Sequence, residues 1–222
     1  MIVLPSAPTA RLTEPRYQGL ELGSGSGEVT RAMRDLGWSM TSVDCDIIHD
    51  ADIIRKWEDL DPGEWLDVEF IWWSPDCSVY STMSFPHGHF KNGIPQTDAA
   101  IAAEKSNLAA LAFIEAVNPR WLIIENPRAL MRTRWWIKEF DRNTVSYCQY
   151  GFDRMKPTDL FGRFPSKWMP KLCKNGDPCH TPAPRGSRTG TQGRNRQEIA
   201  KVPYALAYEI GEAIRDDWGW IP

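Results

Sequence analysis

The chain has 222 residues, a formal net charge of −3 and 25% charged residues, enough to bury a core as one unit and too mixed for a polyelectrolyte or a low-complexity chain. It has no apolar run of membrane-spanning length and no opening segment that is basic and then apolar, so neither a membrane protein nor a secretory leader is expected. The 5 scattered cysteines are an odd number and fit reduced thiols in a cytoplasm better than a disulfide framework.

Charge is unevenly spread. Between Arg154 and Lys201 stand 11 Lys/Arg against Asp159, Asp177 and Glu198, so this stretch carries +8 and the remainder −11. A basic segment on an acidic body points to a polyanionic partner, with a merely solvated basic face as the bland alternative.

In chain order, residues 1–16 are rich in Pro, Ser and Thr and read as an arm without periodicity. Gln18–Leu22 reads as a strand, Gly23-Ser24-Gly25-Ser26-Gly27 as a glycine loop and Glu28–Leu36 as a helix stopped by Gly37. Strand, loop and helix in that order make a cradle for a nucleotide-type cofactor, although tight turns also need glycine for steric reasons alone. The next strand, Met40–Val43, ends on Asp44, placed either to accept from ribose hydroxyls or as a turn residue. Asp50-Ala51-Asp52-Ile53 follows. Val68–Trp73 is short, aromatic and apolar, hence a buried strand, and Pro75 takes the chain out of the sheet just before Cys77. Residues 82–96 form a loop with the character of a lid, and Thr97–Val117 is the longest helix. The apolar strand Trp121–Ile124 runs into Glu125-Asn126-Pro127. If these two strands are neighbours, a thiol and a carboxylate face one crevice at the carboxyl ends of an open sheet, where such sheets bind ligands. A strand is expected over Thr144–Tyr150, an irregular region without apolar periodicity over 151–196, and a helix over Val202–Asp216.

These motifs together resemble the DNA (cytosine-5) methyltransferases, particularly compact phage-type members, over roughly residues 17–162 and 196–214. The resemblance rests on Ser74-Pro75-Asp76-Cys77 with Tyr80-Ser81, and on Glu125-Asn126-Pro127. It extends to Gln149-Tyr150-Gly151 with Lys156-Pro157-Thr158-Asp159, to Glu21-Leu22-Gly23-Ser24-Gly25, and to Ile199-Ala200-Lys201-Val202-Pro203. It implies an α/β, Rossmann-like S-adenosylmethionine-dependent methyltransferase fold, a mostly parallel sheet flanked by helices. Residues 17–163 would form the catalytic part, 164–195 a small basic target-recognition insertion, and 196–222 a helix returning to the body.

By the same resemblance, Cys77 would be the nucleophile toward C6 of a flipped cytosine and Glu125 the group at N3. Lys156 would stand, with Thr158, where the family has an arginine pair. S-adenosylmethionine would be held by Glu21, Leu22, Gly23, Gly25, Gly27, Asp44, Asp52 and Pro75. Ser81, His87, Arg185, Arg188, Arg194 and Arg196 would contact DNA, and the protein would work as a cytoplasmic monomer on duplex DNA. The family places proline where this chain has Asp76, and an anion beside Cys77 disfavours the thiolate unless it points away. The chemistry explains the residue types: a soft, ionisable nucleophile both adds and departs, and only a protonated carboxyl donates to N3.

Cys173, Cys179 and His180, with Cys148, lack the spacing of a zinc knuckle, and adjacent Cys-His is awkward for two ligands, so loop packing without a metal is expected. Three other functions compete. One is a decayed relative that binds DNA or cofactor without turnover. Another is a pyrimidine-modifying enzyme using RNA, a mononucleotide or a modified donor. The last is a dinucleotide oxidoreductase, which would leave Cys77 with Glu125 unexplained.

Overall fold

A computed structural model describes residues 17–174, 176–182 and 195–218. The expected arm at 1–16 and the candidate DNA contacts Arg185, Arg188 and Arg194 lie outside these residues.

The main sheet is built from β1 (Gln18–Leu22), β2 (Ser39–Asp44), β3 (Ile53–Ile54), β4 (Val68–Trp73), β7 (Trp121–Pro127), β8 (Asp141–Ser146) and β9 (Pro157–Arg163). The small strands β5 (Phe90–Lys91) and β6 (Ile94–Pro95) form a separate hairpin. The helices are α1 (Glu28–Asp35), α2 (Asp98–Val117), α3 (Arg196–Ala200) and α4 (Tyr204–Asp217). Strand order across the main sheet is β3-β2-β1-β4-β7-β9-β8. The pairings from β3 through to β7 are parallel, and β9 lies antiparallel between β7 and β8. The chain winds outward from β1 to β3 and then restarts at β4 on the other side of β1. That reversal opens a crevice at the carboxyl ends of β1 and β4.

Burial on both faces explains why the central strands read as continuous apolar runs rather than alternating ones. Phe70 and Trp72 enter the layer with Val29 and Met33 of α1 and Leu206, Ile210 and Ile214 of α4. Ile71 and Trp73 enter the opposite layer with Ala110, Phe113 and Ile114 of α2. Each large side chain buried this way stabilises the fold by about 1.5–3 kcal/mol, so β4 is the strand that fixes the crevice. Within α2, Thr97 caps the N-terminus, its Oγ1 accepting from the Ala100 N–H at 3.2 Å. Among the described residues no helix is long and apolar enough to cross a membrane.

Two expectations are corrected. The strand expected over Thr144–Tyr150 starts earlier, at Asp141, and stops at Ser146, where the chain turns through Tyr147–Tyr150 and leaves by Gly151 at φ 89°. The region read as irregular contains β9, an interior strand of the sheet paired on both sides. Its polar and glycine residues hid it. Buried Asp159 is neutralised by a two-pronged bond from Arg132 and a third from Thr144. Gly162 sits at φ 139°, where a Cβ would lie 1.9 Å from the Leu122 carbonyl oxygen. The loop over 82–96 also has structure of its own, a helical turn at Thr82–His87 followed by the β5–β6 hairpin.

Candidate active site

Three adjacent strands deliver the site. Register pairs Leu22 with Trp73 and Trp73 with Ile124, so Gly23, Ser74 and Glu125 emerge side by side. The Gly23 and Ser24 N–H groups both donate to the Val43 carbonyl, at 2.9 and 3.1 Å, and the Ser74 N–H donates to that of Leu22 at 2.9 Å. The loops are packed closely enough that a Cβ on Gly23 would stand 2.5 Å from the Ser74 carbonyl oxygen, and φ there is 71°. Glycine is required at that position on both counts.

The glycine loop is braced by carboxylates. Asp44 Oδ2 accepts from the Gly25 N–H and its Oδ1 from the Asp46 N–H, both at 2.9 Å. Glu21 is buried, and its Oε2 accepts from the Thr30 N–H at 2.8 Å and the Thr30 hydroxyl at 2.6 Å, locking β1 to α1. Burial, only partly offset by those Thr30 bonds, pushes the Glu21 carboxyl up to about 7. Leu22 is wholly buried in the core and offers the crevice only its backbone. Asp52 Oδ2 is occupied by the Ser42 N–H, the Ser42 hydroxyl and Arg34, each at 2.7 Å, so it ties β3 to β2 and α1. Open space surrounds Gly25 and Gly27, and Ile47 and Ile48 stand exposed after Asp44.

On the other side of Ser74, Asp76 turns forward. Its carboxylate accepts from the Ser78 N–H at 2.9 Å and the Ser78 hydroxyl at 2.6 Å, and so closes the turn that presents Cys77. Buried Asn126 donates from Nδ2 to the Pro75 carbonyl at 3.1 Å and fixes that turn against β7. Cys77 is half-buried, and burial, then the Glu125 carboxylate and more weakly that of Asp76 raise its thiol to about 11, against the opposing pull of Lys156. Glu125 is buried, and burial raises its carboxyl, resisted by Lys156 and by the Tyr147 phenol, which donates to Oε1 at 2.7 Å. Lys156 donates to the Ile199 carbonyl of α3 at 2.7 Å and lies 4.5 Å from the centre of the Tyr147 ring. Thiol, carboxyl, phenol and ammonium thus form one electrostatically coupled group.

A second buried network positions the loop after Cys77. Glu104 of α2 receives two bonds from Arg134, at 2.9 and 2.8 Å, with further donors in Tyr80 at 2.8 Å and Trp136 at 3.1 Å. Arg134 also donates to the Gly93 carbonyl at 2.7 Å, tying the β5–β6 hairpin to the same point. Ser81 follows, half-buried, its N–H bonded to the Cys77 carbonyl at 2.9 Å, while His87 is exposed with its ring beside that of His89. Arg196 opens α3. Motif reading singled out Cys77, Glu125 and Lys156 but missed Tyr147 as the Glu125 partner and Asn126 as the brace. Only strand pairing shows what those two face.

The spacing argument against a shared role for Cys148, Cys173, Cys179 and His180 is also revised, because the ligand atoms of all four lie within 4.8 Å of one another.

No protein-family model matches the sequence, and no curated protein matches it. Among solved structures the chain is similar to the methyltransferase EhMeth of Entamoeba histolytica, with a TM-score of 0.50 at 15% identity over 71% of this chain and 56% of that one. A mutant of DNMT2 from Spodoptera frugiperda aligns at TM-score 0.47 and 18% identity, over 76% of this chain and 58% of that one. The Dnmt2 methyltransferase of S. pombe aligns at 0.46 and 16%, over 69% and 52%. This chain therefore spans little more than half the length of those proteins. What the likeness to EhMeth carries is the architecture: a Rossmann-like α/β fold found in methyltransferases, with a mostly parallel central sheet flanked by helices.

Proposed function

We propose that the protein transfers a methyl group from S-adenosylmethionine to C5 of cytosine in DNA. The observation that carries this reading is the convergence of Cys77 and Glu125 on adjacent strand ends, beside a glycine loop at the switch point of the sheet. A thiol coupled to a buried carboxyl at a nucleotide-type cradle suits nucleophilic addition to a pyrimidine better than hydride transfer, which would leave both groups idle.

The cradle fits the cofactor that the fold implies. Gly25 and Gly27 present bare backbone to open space, and each Asp44 oxygen keeps lone pairs for a ribose diol beyond its one backbone donor. Ile47 and Ile48 offer apolar surface to an adenine. When bound there, S-adenosylmethionine supplies an electrophilic methyl group.

The chain's own residues prepare the base. Glu125, whose burial favours the protonated carboxyl, donates to N3 of a cytosine turned out of the stack and makes C6 electrophilic. Cys77 gives up its proton to solvent as Sγ bonds to C6, and the C5–C6 π pair moves to C5. The Lys156 ammonium favours the thiolate against the burial that opposes it, and Glu125 opposes it only when ionised. Asp76 is engaged with Ser78, and its charge adds to what opposes the thiolate. The C5 pair would take the methyl group that a bound S-adenosylmethionine supplies; the C5 proton then leaves to solvent, its bonding pair re-forms the ring double bond, the Sγ–C6 bond breaks and Cys77 is regenerated. Tyr147 and Asn126 act as positioning residues, one on the carboxyl and the other on the turn.

The basic stretch from Arg154 to Lys201 supports a nucleic-acid partner. The test is incubation of the full chain with S-adenosylmethionine and unmodified duplex DNA, with single-stranded DNA and RNA in parallel, followed by nucleoside mass spectrometry. The expected product is 5-methylcytosine from DNA, absent with Cys77→Ser. Product from RNA alone would move the substrate class, and no product from any polymer despite cofactor binding would overturn the reading.

A further inference from the structure

Cys148 lies in the turn Tyr147–Tyr150, next to the residue that holds Glu125. The segment over 171–182 returns along this turn. The Ser146 N–H donates to the Lys171 carbonyl at 2.9 Å, the Cys173 N–H to Ser146 Oγ at 3.0 Å, and the Thr181 N–H to the Asp153 carbonyl at 3.0 Å. Between Cys173 and Cys179 the chain reverses. The Lys174 N–H donates to Asp177 Oδ2 at 2.7 Å and the Asp177 N–H to the Lys174 carbonyl at 3.1 Å. The result is a knuckle whose two arms aim their thiols at Cys148.

We propose that Cys148, Cys173, Cys179 and His180 form a structural zinc site. Cys179 Sγ lies 3.6 Å from Cys148 Sγ, 3.3 Å from Cys173 Sγ and 3.6 Å from His180 Nδ1, and Cys173 Sγ lies 3.3 Å from His180 Nδ1. A tetrahedron with Zn–S of about 2.3 Å and Zn–N of about 2.0–2.1 Å has edges of roughly 3.5–3.8 Å, so these four separations are already close to what zinc requires, and the two that remain are within 4.8 Å. All five cysteines are free, so no disulfide uses these sulfurs. Three thiolates and an imidazole select zinc over the hard cations that prefer oxygen. Gln149 Nε2 donates to Cys179 Sγ at 3.4 Å, the kind of outer bond that steadies a metal-bound sulfur. Four protein ligands leave no open position, which marks the site as structural rather than catalytic. Loading is a ligand exchange without redox change: the zinc ion gains three Zn–S bonds and one Zn–N bond, and the three thiols release their protons to solvent. The adjacency of Cys179 and His180 is no obstacle, since their ligand atoms diverge to neighbouring corners. The metal would clamp the segment over 171–182 to the turn that carries Tyr147.

The test is the zinc content of the full chain, purified under reducing conditions and dialysed against zinc and then a weak chelator. One zinc per chain is expected, retained by Cys45→Ser and Cys77→Ser and lost by Cys173→Ser and Cys179→Ser. Cobalt in its place should give sulfur-to-metal charge-transfer bands and the intense visible bands of a tetrahedral ion. Should those variants fail to fold, thiol labelling of the unaltered protein decides: zinc should shield three of the five thiols. A wild-type chain that retains no zinc, or whose thiols react alike with and without it, overturns the site. Metal content is read without turnover, so this result stands apart from the fate of the methyl-transfer reading.

Discussion

Two buried carboxylates of the same chain are treated in opposite ways. Glu104 is fully matched, with two bonds from Arg134 and one each from Tyr80 and Trp136, all held within the fold. Glu125 receives one phenol bond, and its nearest cation, Lys156, spends a donor on the Ile199 carbonyl. The first arrangement fixes a loop. The second leaves a carboxyl that burial keeps ready to hold a proton. A matched buried charge locks geometry, whereas an under-matched one is a reagent.

Breaking the matched pair should have the largest effect on stability. Arg134→Ala strands the Glu104 charge in the core and should cost about 3–5 kcal/mol, read as a lower urea midpoint with an unchanged slope. A loss under about 1 kcal/mol would place this network among the weak surface pairs. Breaking the under-matched carboxyl should do the reverse. Glu125→Gln should leave the midpoint within about 1 kcal/mol and lower turnover roughly 10²–10⁴-fold. Equal turnover in the variant would remove Glu125 from the chemistry.

Glu21 sharpens the contrast through pH. Its carboxyl is raised from 4.5 to about 7 in the fold, so the folded state holds the proton more tightly than the unfolded chain does. Its contribution is full below the unfolded value and is lost as pH rises through the folded one. Wild-type stability should therefore fall, relative to Glu21→Gln, by on the order of 2–3 kcal/mol between these two values. Parallel curves for the two proteins, measured by denaturant titration at several pH values, would refute the raised carboxyl.

How much of this was legible depended on whether a residue's role was local. β4 and β7 could be read because their apolar runs are buried on both faces and give way to Pro75 and Glu125, and β1 because the glycine loop from Gly23 follows it. Cys77 and Glu125 could be placed at one crevice only on the condition that β4 and β7 are neighbours, which they are. β9 was hidden because Asp159 looks like a surface residue until Arg132 and Thr144, distant in sequence, are seen to close on it. Tyr147 was hidden for the same reason, since nothing in the strand and turn around it signals a carboxyl partner on β7. The cysteine cluster defeated spacing rules because Cys148 belongs to the turn after β8 and Cys173 and Cys179 to a segment that returns to it.

The smallest effect tests the coupling itself. Burial and Glu125 together hold the Cys77 thiol at about 11, while Lys156 draws it down. Alkylation requires the thiolate, so at fixed pH between the ordinary thiol range and that value the rate reports the thiolate fraction. Replacing Glu125 by Gln removes an anion and should speed labelling of Cys77 by roughly two- to tenfold. Lys156→Met removes a cation and should slow it by a comparable factor. Cys45, exposed and set among Asp44 and Asp46, serves as the internal standard and should not respond to either change. Opposite shifts at Cys77 with a constant Cys45 would establish that thiol, carboxyl and ammonium titrate as one group. If neither substitution alters the Cys77 rate, the three residues are neighbours without electrostatic coupling, and Glu125 would have to be assigned a structural role like that of Glu104.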